Sequence, residues 1–96
     1  MPISAKQKQH LKALAHALKP VVLIGSNGLT QAVLDEIENA LAYHELIKVK
    51  ISGGEREERI QIAEEISSSL KADTIQIIGR VGIFYRPSDK KKIQLP

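Results

Sequence analysis

The stretch that decides the fold is PVVLIGSNGLTQAVL, residues 20–34. Residues 21–24 form a continuous apolar run that is too short for a helix and rich in β-branched side chains, which is typical of a buried strand. The tetrapeptide GSNG at residues 25–28, termed the glycine loop below, ends that run. Thr30 is a residue type that caps helix N-termini, and apolar positions at helical spacing follow it. The stretch therefore predicts a strand, a glycine loop and a helix in direct succession.

Upstream, the sequence predicts a helix over residues 5–18 whose solvent-facing side is basic. Ser4 and Gln7 have the spacing of a capping box, in which each side chain bonds the other residue's backbone N–H. The helix should end at Lys19, because the residue before a proline is disfavoured in the helical conformation. The apolar positions expected to face the core are Leu11, Leu14, Ala15 and Leu18.

Downstream, a second helix should be followed by a half-exposed strand. Residues 45–51 alternate between apolar side chains and the lysines Lys48 and Lys50. Such alternation indicates a strand with one buried side and one solvent-facing side. One face of the sheet should therefore be at least partly open. The positions expected to bury the second helix are Val33, Leu34, Ile37 and Leu41.

The rest of the chain predicts a third helix and a hairpin. A pair of glycines at residues 53–54 marks a turn before that helix, and a second glycine turn separates two apolar, strand-like runs. Residues 87–96 show no periodicity and are interpreted as a tail. The predicted bounds are 55–70 for the helix, 73–78 and 81–86 for the strands, and 79–80 for the hairpin turn.

The predicted order, helix–strand–helix–strand–helix–strand–strand, is that of a mixed α/β domain. Strand–helix–strand units favour parallel pairing with right-handed crossovers, and the final hairpin adds one antiparallel pair. We expect one mixed four-stranded sheet with the second and third helices on one face. The position of the first helix is left open by these rules. Residues 1–88 are predicted to form the domain, and residues 89–96 a basic C-terminal tail.

The composition excludes several classes of protein. At 96 residues the chain has room for one domain. It contains no cysteine, which excludes a disulfide framework and a thiolate metal site and suits a reducing cytoplasm. Aromatic residues make up 3% of the chain, which supplies a base-stacking platform poorly. Apolar runs are too short to span a membrane, and the N-terminus lacks the apolar core of a signal peptide, so we expect a cytoplasmic protein.

The net charge of +3 is small, but its distribution is uneven. Residues 1–30 contain four lysines and no acidic residue, and residues 71–96 have a net charge of +4. Residues 31–70 between them have a net charge of −5. Such segregation can present a basic face to a polyanion while an acidic face stays in water, although solvated charges that merely cluster would look the same.

The sequence does not assemble an active site. His10 and His16 are six residues apart, about 240° around a helix, so they cannot converge on one ion or one proton. The serines lack the Gly-x-Ser-x-Gly context of a nucleophile elbow, and neither a P-loop nor a dinucleotide-binding motif matches. We therefore predict a protein that is not an enzyme and has no metal ion or cofactor.

The spacing Gly-x-x-Gly occurs twice, and only the first occurrence has a suggestive context. Gly79 and Gly82 are explained by the predicted hairpin. The glycine loop instead follows a buried strand and opens a helix, where a backbone can approach a ligand closely and the helix N-terminus offers unpaired N–H groups. The competing interpretation, given equal weight, is a turn that needs a positive φ at Asn27 or Gly28.

A loop that binds a phosphate backbone needs cations beside it. The hydroxyl of Ser26 and the amide of Asn27 can donate to phosphate oxygens, but positive charge must come from elsewhere. Phosphate contacts of this kind position a nucleic acid without reading its bases. The candidate cations are Lys6, Lys8, Lys12 and Lys19 near the first helix, and Arg56, Arg80 and Arg86 further along the chain.

Residues 19–33 (KPVVLIGSNGLTQAV), with the basic helix before them and ELIKVKI and IIGRVGIFYRPS after them, resemble a CRM domain (chloroplast RNA splicing and ribosome maturation). The resemblance covers residues 4–88 and points to the single-domain, YhbY-type bacterial members. It implies an RNA-binding domain whose sheet is similar to that of the C-terminal domain of bacterial translation initiation factor three. For the bacterial members it implies association with precursors of the large ribosomal subunit and a role in their maturation.

The resemblance also implies which residues contact RNA. The family's glycine loop falls on Gly25, Ser26, Asn27 and Gly28, and its basic first helix on Lys6, Lys8 and Lys12. Many relatives carry a basic residue where this chain has Ser26, so this loop has one cation fewer. We expect a cytoplasmic monomer that binds ribosomal RNA and has ribosomal proteins as candidate further partners. The alternative is an adaptor that docks ribosomal proteins through the acidic second and third helices.

Overall fold

The computed structural model describes residues 3–96 and confirms the predicted order of elements. Two helices begin where the sequence places them, because Ser4 and Thr30 accept hydrogen bonds from the backbone N–H groups of Gln7 and Val33. The elements are α1 (Ala5–Ala15), β1 (Pro20–Ile24), α2 (Gln31–His44), β2 (Leu46–Ile51), α3 (Arg56–Leu70), β3 (Asp73–Ile78) and β4 (Val81–Tyr85).

The four strands form one mixed sheet in the order β1-β2-β4-β3. β1 and β2 are parallel, as expected for a strand–helix–strand unit. The hairpin contributes two antiparallel pairs rather than the one expected, because β4 lies between β3 and β2 and pairs with both. Residues 82–85 of β4 are buried on both sides, which suits a central strand better than a strand at the rim of the sheet.

The larger core lies between the sheet and the pair α2 and α3. The expected residues Ile37 and Leu41 of α2 are fully buried there, together with Ile66 of α3. From the sheet, this face receives apolar side chains of β1 and β2 and the ring of Phe84. The predicted placement of the second and third helices on one face is therefore confirmed.

The first helix packs on the opposite face of the sheet, where Leu11 and Ala15 join a second buried cluster. α1 ends three residues before the predicted boundary at residue 18, and the predicted core positions Leu14 and Leu18 are 41% and 39% exposed. The prediction that these two residues belong to the buried side of the helix was therefore wrong. Since α1 is short, it covers only part of this face.

The strand register shows which part of that face α1 leaves uncovered. Side chains of Leu46, Tyr85, Ile83 and Ile75 lie in the cluster beneath α1. Further towards the carboxyl end of β1, one residue from each of the four strands is paired with its neighbour on the next strand. Because directly paired residues point to the same face, these four side chains form one line, termed the open row. Its members are Leu23, Lys50, Val81 and Ile78.

Residues 87–96, interpreted as a tail, contain no helix or strand but are held against the domain. Ile93 and Leu95 pack on the cluster beneath α1, and the side chain of Gln7 donates to the carbonyl of Pro96 at 3.2 Å. No sequence pattern predicted these contacts. Whether residues 1–88 fold without residues 89–96 stays a prediction.

A buried carboxylate fixes this C-terminal segment. Glu45 was expected to begin the second strand, but it ends α2 with a φ of 68° and is fully buried. Its oxygens accept hydrogen bonds from the backbone N–H groups of Ser88, Lys92 and Ile93 at 2.9–3.1 Å and from the hydroxyl of Ser88. Glu45 and these three partners are termed the Glu45 cluster.

Between residues 3 and 96, no helix is long and apolar enough to cross a membrane.

Candidate nucleic-acid interface

Three loops meet at one end of the sheet, termed the loop end. The glycine loop follows β1 directly, and the turn at residues 52–55 follows β2. The backbone N–H of Ser52 donates to the carbonyl of Ile24 at 2.9 Å, which joins these two strand ends. The backbone N–H of Ile51 donates to the carbonyl of Arg80 at 2.6 Å, which brings the β3–β4 hairpin to the same place. The glycine loop therefore shares its end of the sheet with two other loops.

The glycine loop is a solvent-exposed turn. The backbone N–H of Gly28 donates to the carbonyl of Gly25 at 3.0 Å, and Gly28 has a φ of +74°. The turn therefore requires glycine at position 28, as the structural interpretation proposed. Ser26 and Asn27 are exposed, and the φ of Asn27 is not positive.

Gly25 is not explained by the turn. Its φ lies outside the left-handed region, and a Cβ built on it would meet no atom of residues 3–96 within 4 Å. The fold therefore admits a side chain at this position, yet the position has none. A bare backbone at the exit of a strand is what close approach by a ligand requires.

The N-terminus of α2 adds positive potential beside the loop. Thr30 caps Val33, and the first turn of α2 contains no acidic residue, so the partial positive charge of the helix end is not offset there. The N-terminus of α3 differs, since Glu55 caps it and Glu57 and Glu58 lie in its first turn. Of these two helix ends, only that of α2 favours a phosphate group.

Two of the predicted cations lie at the loop end. Arg56 is the first residue of α3 and Arg80 is in the hairpin turn, and both are exposed. A third arginine, which sequence reasoning missed, joins the turn before α3 to the hairpin turn. The guanidinium of Arg59 donates to the carbonyl of Gly54 at 2.9 Å and to that of Gly79 at 3.1 Å, which ties the turn before α3 to the hairpin. The sequence offered no signal that distinguished Arg59 from Arg56.

The other predicted lysines lie towards the opposite end of the sheet or on α1. Lys19 directly precedes β1, so the five residues of that strand, about 17 Å, separate it from the glycine loop. Lys6 and Lys8 lie on the first turn of α1, where Gln7 contacts Pro96 of the C-terminal segment. Lys12 lies further along α1 and is half-buried. The structure thus divides the predicted cations into two groups.

Arg86 has a structural partner at the far end of β4. Its guanidinium donates to both carboxylate oxygens of Glu38 on α2 and to the carbonyl of Leu70 on α3. The hydrogen bond from Arg86 lowers the pKa of the Glu38 carboxyl, and the same bond raises the pKa of the arginine. Since Arg86 joins α2 and α3 to the sheet, its charge is largely offset within the domain. Its contact with RNA stays a prediction.

One charged side chain of the described chain is buried. Glu45 is the one buried charged side chain between residues 3 and 96. Burial raises its pKa, but the hydrogen bonds from Ser88, Ile93 and Lys92 outweigh burial and lower the pKa to about 2. Among the same residues, no three side chains of His, Asp or Glu lie close enough together to hold a metal ion.

Comparison with known proteins identifies the family. The chain is 56% identical over 94 residues to an RNA-binding protein of Haemophilus influenzae, covering 98% of this chain and 95% of the relative. It is 41% identical to a probable RNA-binding protein of Pseudomonas aeruginosa, covering 94% of this chain and 86% of the relative. The solution structure of a Staphylococcus aureus protein matches with a TM-score of 0.86 at 32% identity, covering 99% of this chain and all of that one. Residues 3–86 match the CRS1/YhbY (CRM) domain. The chain therefore belongs to the CRS1/YhbY (CRM) domain family.

Proposed function

We propose that this protein binds RNA and that the glycine loop receives the sugar–phosphate backbone. The observation that carries the proposal is Gly25, a position that lacks a side chain although the fold leaves room for one. Beside it, the exposed side chains of Ser26 and Asn27 can donate to phosphate oxygens, and the uncompensated N-terminus of α2 favours their charge. Arg56 and Arg80 supply formal positive charge at the same end. The names of the relatives support RNA as the ligand.

The lysines near α1 form a second contact with the same RNA. Lys19 is too far from the glycine loop to share one phosphate with it, because β1 between them spans about 17 Å. Lys6, Lys8 and Lys12 lie on α1, which packs beyond the open row from that loop. An RNA strand that leaves the loop end and runs along the α1 face of the sheet reaches both groups. We infer that the bound RNA extends over several nucleotides.

The finer part of the proposal concerns which RNA is bound. The resemblance to YhbY-type proteins favours ribosomal RNA in a precursor of the large subunit, bound in the cytoplasm during assembly. Crosslinking the protein to RNA in cells and sequencing the bound fragments tests this. We expect large-subunit ribosomal RNA to dominate the fragments, and fragments drawn mainly from messenger or transfer RNA would contradict the proposal.

The glycine loop can be tested with one substitution at Gly25. A Cβ at this position meets no atom of residues 3–96 within 4 Å, so we expect Gly25→Leu to fold, whereas its side chain should block close approach of the RNA backbone and lower RNA affinity by roughly an order of magnitude or more. Ser69→Leu, at an exposed position of α3, is the matched control and should bind as the parent does. Unchanged affinity in a folded Gly25→Leu protein would contradict the proposal and favour the adaptor hypothesis.

The phosphate contacts can be tested by salt titration. The logarithm of the association constant should fall linearly with the logarithm of salt concentration, with a slope of roughly −0.7 to −0.9 per neutralised phosphate. Arg56→Gln with Arg80→Gln should flatten that slope by up to about 2 units, and Lys8→Ala with Lys12→Ala should do the same. Binding that does not depend on salt would exclude the phosphate mechanism.

A further inference from the structure

The open row is a mostly apolar line on the uncovered part of the sheet. Leu23 and Ile78 are 58% and 56% exposed, and Val81 between them is half-buried. Lys50 is exposed and stands in the same line, beside Leu23. Residues of this kind on a small sheet are ordinarily covered, as α1 covers the two levels below. Within the described chain, nothing covers this one.

The charge around the open row favours an anionic partner. β1, β2 and β4 contain no acidic residue, and the one acid of β3, Asp73, lies at the far end of its strand. Lys50 in the row and Arg80 in the adjoining hairpin are both exposed cations. A ligand that fits must therefore carry apolar or planar groups together with negative charge. An unpaired stretch of RNA has both.

The open row lies between the arginines at the loop end and the lysines near α1. Leu23 and Lys50 precede the loop end by two residues or fewer along their strands, and α1 lies on the other side of the row. RNA that runs from the glycine loop to the lysines of α1 must cross the row. The row itself spans three strand spacings, about 14 Å, which is wide enough for more than one base.

We propose that the open row is a base-docking surface, on which unpaired bases of the bound RNA lie against Leu23, Val81 and Ile78. The inference rests on the proposed function, since the glycine loop brings the RNA to the row. Aliphatic side chains hold bases more weakly than aromatic rings do, so these contacts add affinity without defining a sequence. The preferred ligand is then RNA whose bases are unpaired, rather than a continuous duplex.

The test compares RNA with and without bases. The probes are an oligoadenylate of about ten nucleotides and a ribose–phosphate chain of the same length without bases. Leu23→Gln with Ile78→Gln should weaken binding of the oligoadenylate by about tenfold and leave binding of the abasic chain unchanged. The slope of affinity against salt should be the same in parent and variant, because no phosphate contact is lost. Tyr43→Gln, at an exposed apolar position near the end of α2, is the matched control.

Each other outcome overturns the inference in a distinct way. Equal losses on both probes would mean that the row acts on the backbone or on the fold. No loss on either probe, with salt-dependent binding by the parent, would leave the proposed function in place and remove the base-docking role. If the variant instead lost only self-association or binding of ribosomal proteins, the row would be a protein interface. Absence of RNA binding by the parent would refute the proposed function itself. Leu23→Thr with Ile78→Thr, which keeps strand-favouring residues, replaces the glutamine variant if that variant does not fold.

Discussion

The two ends of the sheet differ in whether their polar groups are exposed to solvent or hydrogen-bonded within the protein. At the loop end, the glycine loop and the N-terminus of α2 leave backbone and side-chain donors exposed to solvent. At the other end, the Glu45 cluster encloses a carboxylate and supplies four hydrogen bonds to it. Unsatisfied donors are available to a ligand, whereas satisfied ones stabilise the fold. On the proposed function, the loop end serves RNA binding, whereas the Glu45 cluster serves stability.

The largest expected effect on stability is at Glu45. Glu45→Ala removes the acceptor for four hydrogen bonds and should lower the free energy of unfolding by about 2–3 kcal/mol, since bonds to a charged group are the stronger ones. Alanine keeps a Cβ, so the cost of the positive φ stays as it was. Thermal denaturation should show a midpoint lower by roughly 10–20 °C. Glu36→Ala, an exposed position on α2, should change it little.

The same carboxylate predicts how stability depends on pH. The pKa of Glu45 is lowered to about 2 in the folded protein, from an ordinary value of 4.5. Its contribution is therefore complete above pH 4.5 and is lost as the pH falls through about 2. The thermal midpoint should fall over this interval, and less steeply in Glu45→Gln, which does not ionise. Parallel curves for the two proteins would show that the Glu45 cluster does not hold an ionised carboxylate.

The smallest expected effect is the difference in stability between substitutions at Gly28 and at Gly25. Gly28→Ala places a side chain at a φ of +74° and should destabilise the protein by about 1 kcal/mol. Gly25→Ala meets neither a strained φ nor a neighbouring atom and should leave stability nearly unchanged. Urea titration of both variants measures the difference. Equal losses would indicate that the fold requires both glycines and would contradict a binding role for the bare backbone at Gly25.

The sequence was sufficient where a local pattern decides the structure. The caps at Ser4 and Thr30, the alternation around Lys48 and Lys50 and the turn at residues 79–80 each depend on neighbours within a few residues, and all are confirmed. Local patterns also placed the glycine loop between a strand and a helix. Its role in binding stays a prediction.

Contacts between distant residues could not be predicted in this way. Glu45 accepts hydrogen bonds from Ser88, Lys92 and Ile93, which lie 43, 47 and 48 positions later in the sequence. Residues 87–96 show no periodicity from which those contacts could be predicted. The position of β4 between β2 and β3 likewise depends on pairing between strands that are distant in the sequence. The separation of Lys19 from the glycine loop follows from the strand between them, but the charge pattern alone grouped all the cations together.

The central position of β4 has a consequence for how the chain matures during synthesis. Translation delivers residues in order, so β2 and β3 exist before the strand that lies between them. Until residues 81–85 have been made, β3 has no neighbouring strand to pair with, and it cannot join the sheet that β1 and β2 begin. Completion of the sheet therefore awaits β4.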